Sequence, residues 1–141
     1  MTLLEPQSEG IPLPVPTVTS QPFWDGCARH ELLYQRCVSC SRPIFIPAAV
    51  CRWCGGAEME WQQSAGDGSI YSWTVAWRPQ RPSFRTPYVA IIVDMDEGYQ
   101  MLSNLIGCEP DDAYAGMRVT VDFHPIGGDI TLPYFRPLWP L

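Results

Sequence analysis

The sequence contains no lysine, because all nine basic residues are arginine. This absence excludes chemistry that needs a lysine ammonium, such as a Schiff base with a carbonyl substrate or phosphate binding by a P-loop. No apolar run approaches the roughly 20 residues that cross a membrane as a helix. The N-terminal region also lacks the positive start and apolar segment of a secretory signal. We therefore expect a cytoplasmic protein in a reducing compartment.

Familiar catalytic motifs are also missing. The sequence has no G-x-S-x-G elbow, no H-E-x-x-H helix and no P-loop, and Gly66-Asp67-Gly68 lacks the third glycine of a dinucleotide-binding loop. Neither His30 nor His124 has a nucleophile or an orienting carboxylate at a recognisable spacing. Asp122 is two residues from His124, but we expect both side chains on the solvent face of a strand. The sequence thus predicts no independent catalysis.

Four cysteines form the most specific pattern in the chain. Cys37 and Cys40 make one C-x-x-C pair, Cys51 and Cys54 make a second, and ten residues separate the pairs. Two such turns supply the four thiolates of a tetrahedral site. A site of this kind is closed to substrate, so the pattern predicts one structural zinc ion per chain. Metal binding, on the order of 10–16 kcal/mol in comparable modules, would fold a segment too short for its own core.

Other uses of these cysteines remain open from the residues alone. Two disulfides would need an oxidising compartment, which the missing secretory signal argues against. An iron site of the rubredoxin or iron–sulfur kind also takes four thiolates. Cys27 and Cys108 stand outside the pattern, and we expect both to be small buried apolar side chains rather than nucleophiles.

Length and charge set the outer limits of the interpretation. The 141 residues, 46% of them hydrophobic, suit one domain or one small domain with a zinc-binding appendage. The net charge of −6 makes the molecule repel polyanions as a whole. Zinc ribbons and small barrels often bind nucleic acid, which leaves such a module as an alternative. However, that function needs a basic track that this acidic chain does not provide.

Local patterns divide the chain into five segments. The segments are a Pro-rich tail (1–21), an N-terminal helix (22–35), a small zinc ribbon (36–60), a barrel (61–137) and a C-terminal tail (138–141). The Pro-rich tail cannot be helical and is either disordered or an extended arm laid on a partner. Ser20 and Pro22 are typical of a helix start. Trp24 on that helix predicts packing against the protein's own core or against a partner.

Period-two alternation predicts the strands of the barrel. In the first strand Tyr71, Trp73, Val75 and Trp77 are expected to share one face. Further strands are predicted over 88–95, 99–105, 117–123 and 130–135. Five strands without alternating helices predict a mainly β chain that forms a five-stranded OB-fold barrel.

One loop differs from the acidic remainder of the chain. Residues 78–87 carry Arg78, Arg81 and Arg85 but no acidic residue. Three prolines stiffen the loop, which lowers the entropy lost when it binds a ligand. Guanidinium groups bind phosphates through paired hydrogen bonds. The loop therefore predicts a contact with a phosphorylated small molecule or an acidic partner, and a solvated connector is the alternative.

Many short motifs occur together in the order found in one known family. They are Phe23-Trp24, the 33–37 approach to the first cysteine pair, both cysteine pairs, Trp61, the 69–74 strand, Pro87-Tyr88, Asp96-Glu97-Gly98, Gly116 and Phe135-Arg136-Pro137. Together they resemble the acyl-CoA-associated OB-fold proteins, first catalogued as domain of unknown function family 35, which carry a rubredoxin-like zinc ribbon ahead of the barrel. The resemblance extends over residues 21–137.

The resemblance implies an accessory subunit that lends no catalytic residue of its own. Relatives pair with thiolase-like proteins, including thiolases and retro-aldolases of steroid side-chain breakdown, and others accompany MaoC-like hydratases. It implies a thiolase-like catalytic partner, acyl-CoA as the shared ligand and a dimer of heterodimers. Separately, the acidic charge argues against a nucleic-acid partner, and the lack of a long apolar run argues against a membrane. In our own interpretation, the three loop arginines would meet the CoA phosphates. Trp73 and Trp77 would line a path for the pantetheine or acyl part.

Overall fold

The computed structural model describes residues 2–8 and 10–139. The elements are helix α1 (Gln21–Ala28) and strands β1 (Leu33–Cys37), β2 (Pro43–Ile44), β3 (Met59–Gln63), β4 (Asp67–Ala76), β5 (Tyr88–Met95), β6 (Gln100–Leu105), β7 (Arg118–Gly127) and β8 (Ile130–Pro137), with a short 3-10 helix (Pro110–Asp112) between β6 and β7. Strands β1 to β3 form one sheet, and β4 to β8 form a closed barrel.

The barrel has the strand order β4-β5-β6-β8-β7 and closes where β7 pairs with β4. Its only parallel contact among the described strands joins β6 to β8, where Leu105 lies opposite Phe135. Gly68 allows β4 to approach β5, because a Cβ there would stand 2.5 Å from the carbonyl oxygen of Asp94. Alternate side chains fill the interior, and Val119 and Phe135 are completely buried. The mainly β class and the five-stranded OB-fold barrel are thus confirmed.

The first barrel strand departs from simple alternation. The register of β4 against β5 shifts at Tyr71, because one extra residue is inserted there. Consequently Ile70 and Trp73 lie opposite the buried residues Val93 and Ile91 of β5. The predicted shared face of Tyr71 and Trp73 is wrong, since a bulge reverses the alternation on its far side.

The metal-binding segment is built on a three-stranded antiparallel sheet with the order β2-β1-β3. The predicted helix over 22–35 is too long, because α1 ends at Ala28 and Leu33–Cys37 forms β1 instead. His30 takes a left-handed conformation (φ 62°), which stops the helix. The backbone groups of β1 are then satisfied by pairing with β3, which a continued helix would not allow. The ribbon therefore begins before residue 36.

The Pro-rich segment is an arm that packs on the protein's own barrel. Within residues 2–8, Leu4 is buried, and its backbone N–H donates to the carbonyl oxygen of Cys108 at 2.8 Å. Further along the arm, the N–H of Gln7 donates to the Tyr134 hydroxyl at 3.0 Å. These contacts correct the expectation of a free tail or of an arm on a partner, since the chain's own barrel supplies the hydrogen-bond partners.

One predicted boundary also shifts. Residues 61–63, assigned to the barrel, lie in β3 of the ribbon sheet, and the barrel begins at Asp67 because only from there does the chain pair with β5 and β7. Strand β8 ends at Pro137, before the predicted tail 138–141. In that tail the N–H of Leu138 donates to the carbonyl oxygen of Arg118, and residues 140–141 lie outside the described residues. Among the described helices, none combines the length and apolar character needed to cross a membrane.

An aromatic cluster joins the helix, the ribbon and the barrel. Tyr99, before β6, stacks on Tyr34 of β1 at 4.8 Å and on Phe45 after β2 at 5.2 Å between ring centroids. The edge of Phe23 meets Phe45 at 5.4 Å, and Trp24 meets Phe23 at 4.9 Å. Such contacts contribute about 0.5–1.5 kcal/mol each beyond area burial. The prediction that Trp24 packs against the protein's own core is confirmed.

Candidate functional site

The four predicted ligands converge on one point. All four Sγ atoms of Cys37, Cys40, Cys51 and Cys54 lie within 4.8 Å of one another. The Sγ atoms of Cys37 and Cys54 are 3.6 Å apart, and those of Cys40 and Cys51 are 3.7 Å apart. A tetrahedron with zinc–sulfur bonds of about 2.3 Å has edges of roughly 3.8 Å, so the cluster fits zinc. These separations also exclude disulfides, whose sulfur atoms lie about 2.05 Å apart.

Backbone N–H groups of the second cysteine turn point to the sulfur atoms that would bind the metal. The N–H of Trp53 points to the Cys51 Sγ at 3.3 Å, and the N–H of Gly56 points to the Cys54 Sγ at 3.4 Å. Gly55 takes a left-handed conformation (φ 79°) that makes this reversal possible without strain. A bound zinc ion with four protein ligands has no position for substrate, so its role here is to hold the two cysteine turns together.

The two remaining cysteines have the character expected of packing residues. Cys27 is completely buried, and burial raises the pKa of its thiol to about 12. Burial, with the nearby charges of Asp112 and Glu109, raises the pKa of Cys108 to about 11. Because the thiolate is the nucleophile, these shifts suppress reactivity at neutral pH.

The three loop arginines fall into two groups. Arg85 is tied to the N-terminal arm: its guanidinium lies 2.8 Å from the Glu5 carboxylate. The Gln7 side chain hydrogen-bonds both the N–H and the carbonyl oxygen of Arg85, at 2.7 and 2.9 Å. Arg78 and Arg81 are exposed and make no ion pair with other described residues. Two guanidinium groups of the loop thus remain available to an anion.

Trp73 and Trp77 lie on the part of the barrel that leads into this loop. Strand β7 pairs only with Asp67–Ser69 of β4, so the later half of β4 has a strand neighbour on one side only. Trp73 in this half of β4 is consequently 40% exposed, and Trp77, which follows β4, is 64% exposed. They offer an aromatic surface next to Arg78, rather than the lining of an enclosed channel.

The two histidines are separated from each other in the fold. His30 follows α1 and stacks on Phe123 at 5.3 Å between ring centroids. His124 Nε2 lies 3.2 Å from an Asp122 carboxylate oxygen, which Arg136 also approaches at 3.9 Å. All three side chains of this second group are partly exposed on the outside of β7 and β8. Their position on the solvent side of β7 agrees with the sequence-based expectation.

An apolar groove is the feature that sequence reasoning missed. It has a volume of about 490 Å³ and lies between the outside of the barrel and a covering layer of the arm, α1 and the ribbon. Neither Trp73 nor Trp77 lines it, and from the arginine loop it receives only Phe84. The large apolar side chains of Phe23 and Trp24 on one short helix were the available signal. Both side chains line the groove as well as packing against the core.

Comparison with known proteins identifies both structural units. Residues 24–60 match the family model described as the ChsH2 rubredoxin-like zinc ribbon domain, and residues 61–124 match that of the ChsH2 C-terminal OB-fold domain. The first of these agrees with one structural zinc ion at the four-cysteine cluster.

Several curated proteins are similar to the chain. A probable enoyl-CoA hydratase alpha subunit of Thermomonospora curvata is 36% identical over 119 residues, covering 84% of this chain and 37% of the relative. A DUF35 domain-containing scaffold protein of Methanocaldococcus jannaschii is 30% identical, covering 78% and 84%. A 3-oxo-4,17-pregnadiene-20-carboxyl-CoA hydratase alpha subunit of Mycobacterium tuberculosis is 33% identical, covering 72% and 32%. The chain thus spans about a third of the two hydratase subunits.

Two solved structures share the architecture. A chain of the Ltp2-ChsH2(DUF35) aldolase superposes with a TM-score of 0.83 at 32% identity, covering 90% of this chain and 100% of that one. A DUF35 protein of unknown function from Sulfolobus solfataricus superposes with a TM-score of 0.63 at 12% identity, covering 85% of each chain, and shares the fold.

Proposed function

Because the chain belongs to the ChsH2 (DUF35) family, we propose that it is a non-catalytic accessory subunit that binds acyl-CoA or completes the active site of a thiolase-like partner, either a thiolase or a retro-aldolase. The observation that carries this proposal is the similarity, at 32% identity, to the whole of a chain in the Ltp2-ChsH2(DUF35) aldolase. The proposed assembly is a dimer of heterodimers in the cytoplasm.

In this proposal the zinc site and the arginine loop have separate tasks. Cys37, Cys40, Cys51 and Cys54 hold the metal, which fixes the ribbon against the barrel. Arg78 and Arg81 meet the CoA phosphates, because an exposed guanidinium without an ion pair forms charge-assisted hydrogen bonds at little desolvation cost. Arg85 contributes more weakly, since Glu5 competes for its guanidinium.

Trp73 and Trp77 form the third part of the proposed ligand contact. Their exposed rings precede the loop directly in the chain, which supports a role beside the arginines. An indole face covers an apolar group and keeps an N–H available at its edge. The pantetheine arm combines amides with methylene groups and matches that surface.

A second candidate partner is a hydratase. Two relatives, 36% and 33% identical to this chain, are hydratase alpha subunits acting on CoA thioesters by their names. Co-expression with thiolase-like and MaoC-like proteins from the same genome, followed by native mass spectrometry, separates the two candidates. We expect a stable 2:2 complex with the thiolase-like protein. Association with the hydratase alone would replace the proposed partner.

The loop is tested with the assembled complex. Replacement of Arg78 and Arg81 by alanine removes two charge-assisted hydrogen bonds, each about 1.5–3 kcal/mol, so KM for acyl-CoA should rise at least tenfold with kcat little changed. The Arg29→Ala/Arg52→Ala variant removes the same charge outside the loop and should retain the parent KM. An unchanged KM in the loop variant would remove these arginines from the ligand contact.

A further inference from the structure

The apolar groove lies where four separate parts of the chain meet. The barrel forms its floor with strands β5, β6 and β8, and α1 forms one wall. Phe45, Ile46 and Pro47 form another wall, and they belong to the spacer between the two cysteine pairs. Gln7 and Ile11 of the N-terminal segment add to the lining, so the groove exists only where the arm and the ribbon are folded against the barrel.

Among the described residues, the groove is lined by no charged side chain. None of the described lining residues is Asp, Glu, Arg or His, although the chain contains 15 acidic and nine basic residues. Most lining side chains are aliphatic or aromatic, and the volume of about 490 Å³ falls within the roughly 300–1,000 Å³ of small-molecule sites. A phosphate or carboxylate would lose its hydration here without a compensating charge. The groove therefore selects an uncharged, mainly hydrocarbon group.

The polar groups in the lining differ in their availability. Ser103 donates to the carbonyl oxygen of Pro133 at 2.6 Å, and the Gln7 side chain is occupied by the backbone of Arg85. The Asn104 side chain makes no hydrogen bond with other described residues and is only partly buried. It leaves one amide that can orient a single polar atom of a ligand, such as a carbonyl or hydroxyl oxygen.

We propose that this groove binds the hydrocarbon part of a thioester, an acyl chain or a fused-ring acyl group bearing at most one or two neutral oxygens. The naming of the thioester rests on the proposed function, whereas the selectivity for an uncharged apolar group rests on the lining itself. Phe84 gives the groove continuity with the arginine loop, because it lines the groove and its N–H donates to the carbonyl oxygen of Arg81 at 3.0 Å. An acyl group in the groove thus leaves the charged CoA end toward Arg81.

The test uses the zinc-loaded protein and the neutral fluorescent probe N-phenyl-1-naphthylamine. We expect saturable binding of one probe per chain, with displacement by decanoyl-CoA and none by CoA alone. Leu102→Glu and Ile46→Glu place a carboxylate on the barrel side and on the ribbon side of the groove, at residues 72% and 74% exposed, and should weaken probe binding at least tenfold. Tyr71→Glu makes the same kind of change at an exposed barrel residue outside the groove and should bind like the parent.

Each contrary result has a defined meaning. Absence of saturable probe binding, or binding that both glutamate variants retain, overturns the groove as a ligand site. Probe binding that decanoyl-CoA does not compete for overturns the assignment to a thioester. Neither result changes the KM comparison for Arg78 and Arg81, so failure of the groove and failure of the proposed loop contact remain distinguishable.

Discussion

The ribbon and the barrel are both antiparallel β-structures in the main, but they are stabilised by different means. The buried core of the ribbon consists of Cys37, Ile44 and Cys51, with Cys40 and Met59 packed against it, so three of its five members are metal ligands. The barrel instead buries a continuous set of aliphatic and aromatic side chains on the inner faces of five strands. The first unit therefore depends on coordination, and the second depends on the removal of apolar area from water.

Removal of the metal should have the largest effect and should separate the two units. Cys51→Ser, or treatment with a strong chelator, forfeits a binding free energy on the order of 10–16 kcal/mol, which the small ribbon core cannot replace. Hydrogen exchange should then show lost protection over 33–63 and retained protection over 88–105. Cys108→Ser changes a buried cysteine outside the metal site and should leave the ribbon protected. Simultaneous loss of protection in both regions would mean that the barrel also depends on the metal.

A cavity in the barrel core should have the next largest effect and should lower the stability of both the barrel and the ribbon. Phe135 is completely buried, so Phe135→Ala should lower the free energy of unfolding by about 3–5 kcal/mol. Leu102→Ala, at a 72% exposed residue of the same sheet, should change it by less than about 0.5 kcal/mol. Urea unfolding followed by circular dichroism gives both values. Similar values for the two variants would contradict the placement of the core.

Removal of the Tyr99 hydroxyl, at the contact between the ribbon and the barrel, should not destabilise the protein. The buried Tyr99 hydroxyl has no hydrogen-bond partner among the described residues, so Tyr99→Phe should raise the free energy of unfolding by about 1 kcal/mol. Tyr134→Phe is the matched control: its hydroxyl accepts the Gln7 N–H, and its loss should cost about 1 kcal/mol. Thermal unfolding of the two variants should therefore shift in opposite directions, and a destabilised Tyr99→Phe would contradict this account.

The smallest effect concerns charge on the barrel surface. Two hydrogen bonds from Arg118, both 2.8 Å, hold the pKa of the Asp96 carboxyl below its usual value. The pair should stabilise the protein above about pH 4, the unfolded pKa of aspartate, and lose this contribution as pH falls through the lower folded pKa. Because both side chains are about half exposed, the effect should be about 0.2–1 kcal/mol.

Unfolding free energies of Asp96→Asn and the parent between pH 7 and pH 2 check this prediction. The difference between them should shrink at the acidic end. Asp111→Asn removes an exposed carboxylate that makes no ion pair with other described residues and should track the parent at neutral pH. A gap between Asp96→Asn and the parent that widens on acidification would reverse the assigned sign.

Features that depend on residues close together in the sequence were predicted well. Features that depend on contacts between distant residues were predicted less well. The zinc site was predictable because each pair of ligands lies within four residues, and the family resemblance and the barrel followed from motif order and alternation. The end of α1 was not, because β1 forms by pairing with β3, which places Tyr34 opposite Gln62. The bulge at Tyr71 likewise depends on the register with β5.

The groove and the different surroundings of the three loop arginines could not be predicted from the sequence, because both depend on contacts between distant residues. Phe45 and Leu102 come to line one space only when the ribbon folds over the barrel. Arg85 differs from Arg78 because Glu5, eighty positions earlier, occupies its guanidinium. No pattern within a short stretch of the sequence predicts either arrangement.

The side-chain amide of Gln7 donates to the carbonyl oxygen of Arg85 and accepts from its N–H, across 78 positions of the chain. In a recombinant protein, changes near Gln7 should therefore affect the loop around Arg85. A change among the first few residues would act on the shape of a remote surface turn as well as on the arm itself. Two preparations that differ by a handful of initial residues should therefore not be treated as the same reagent.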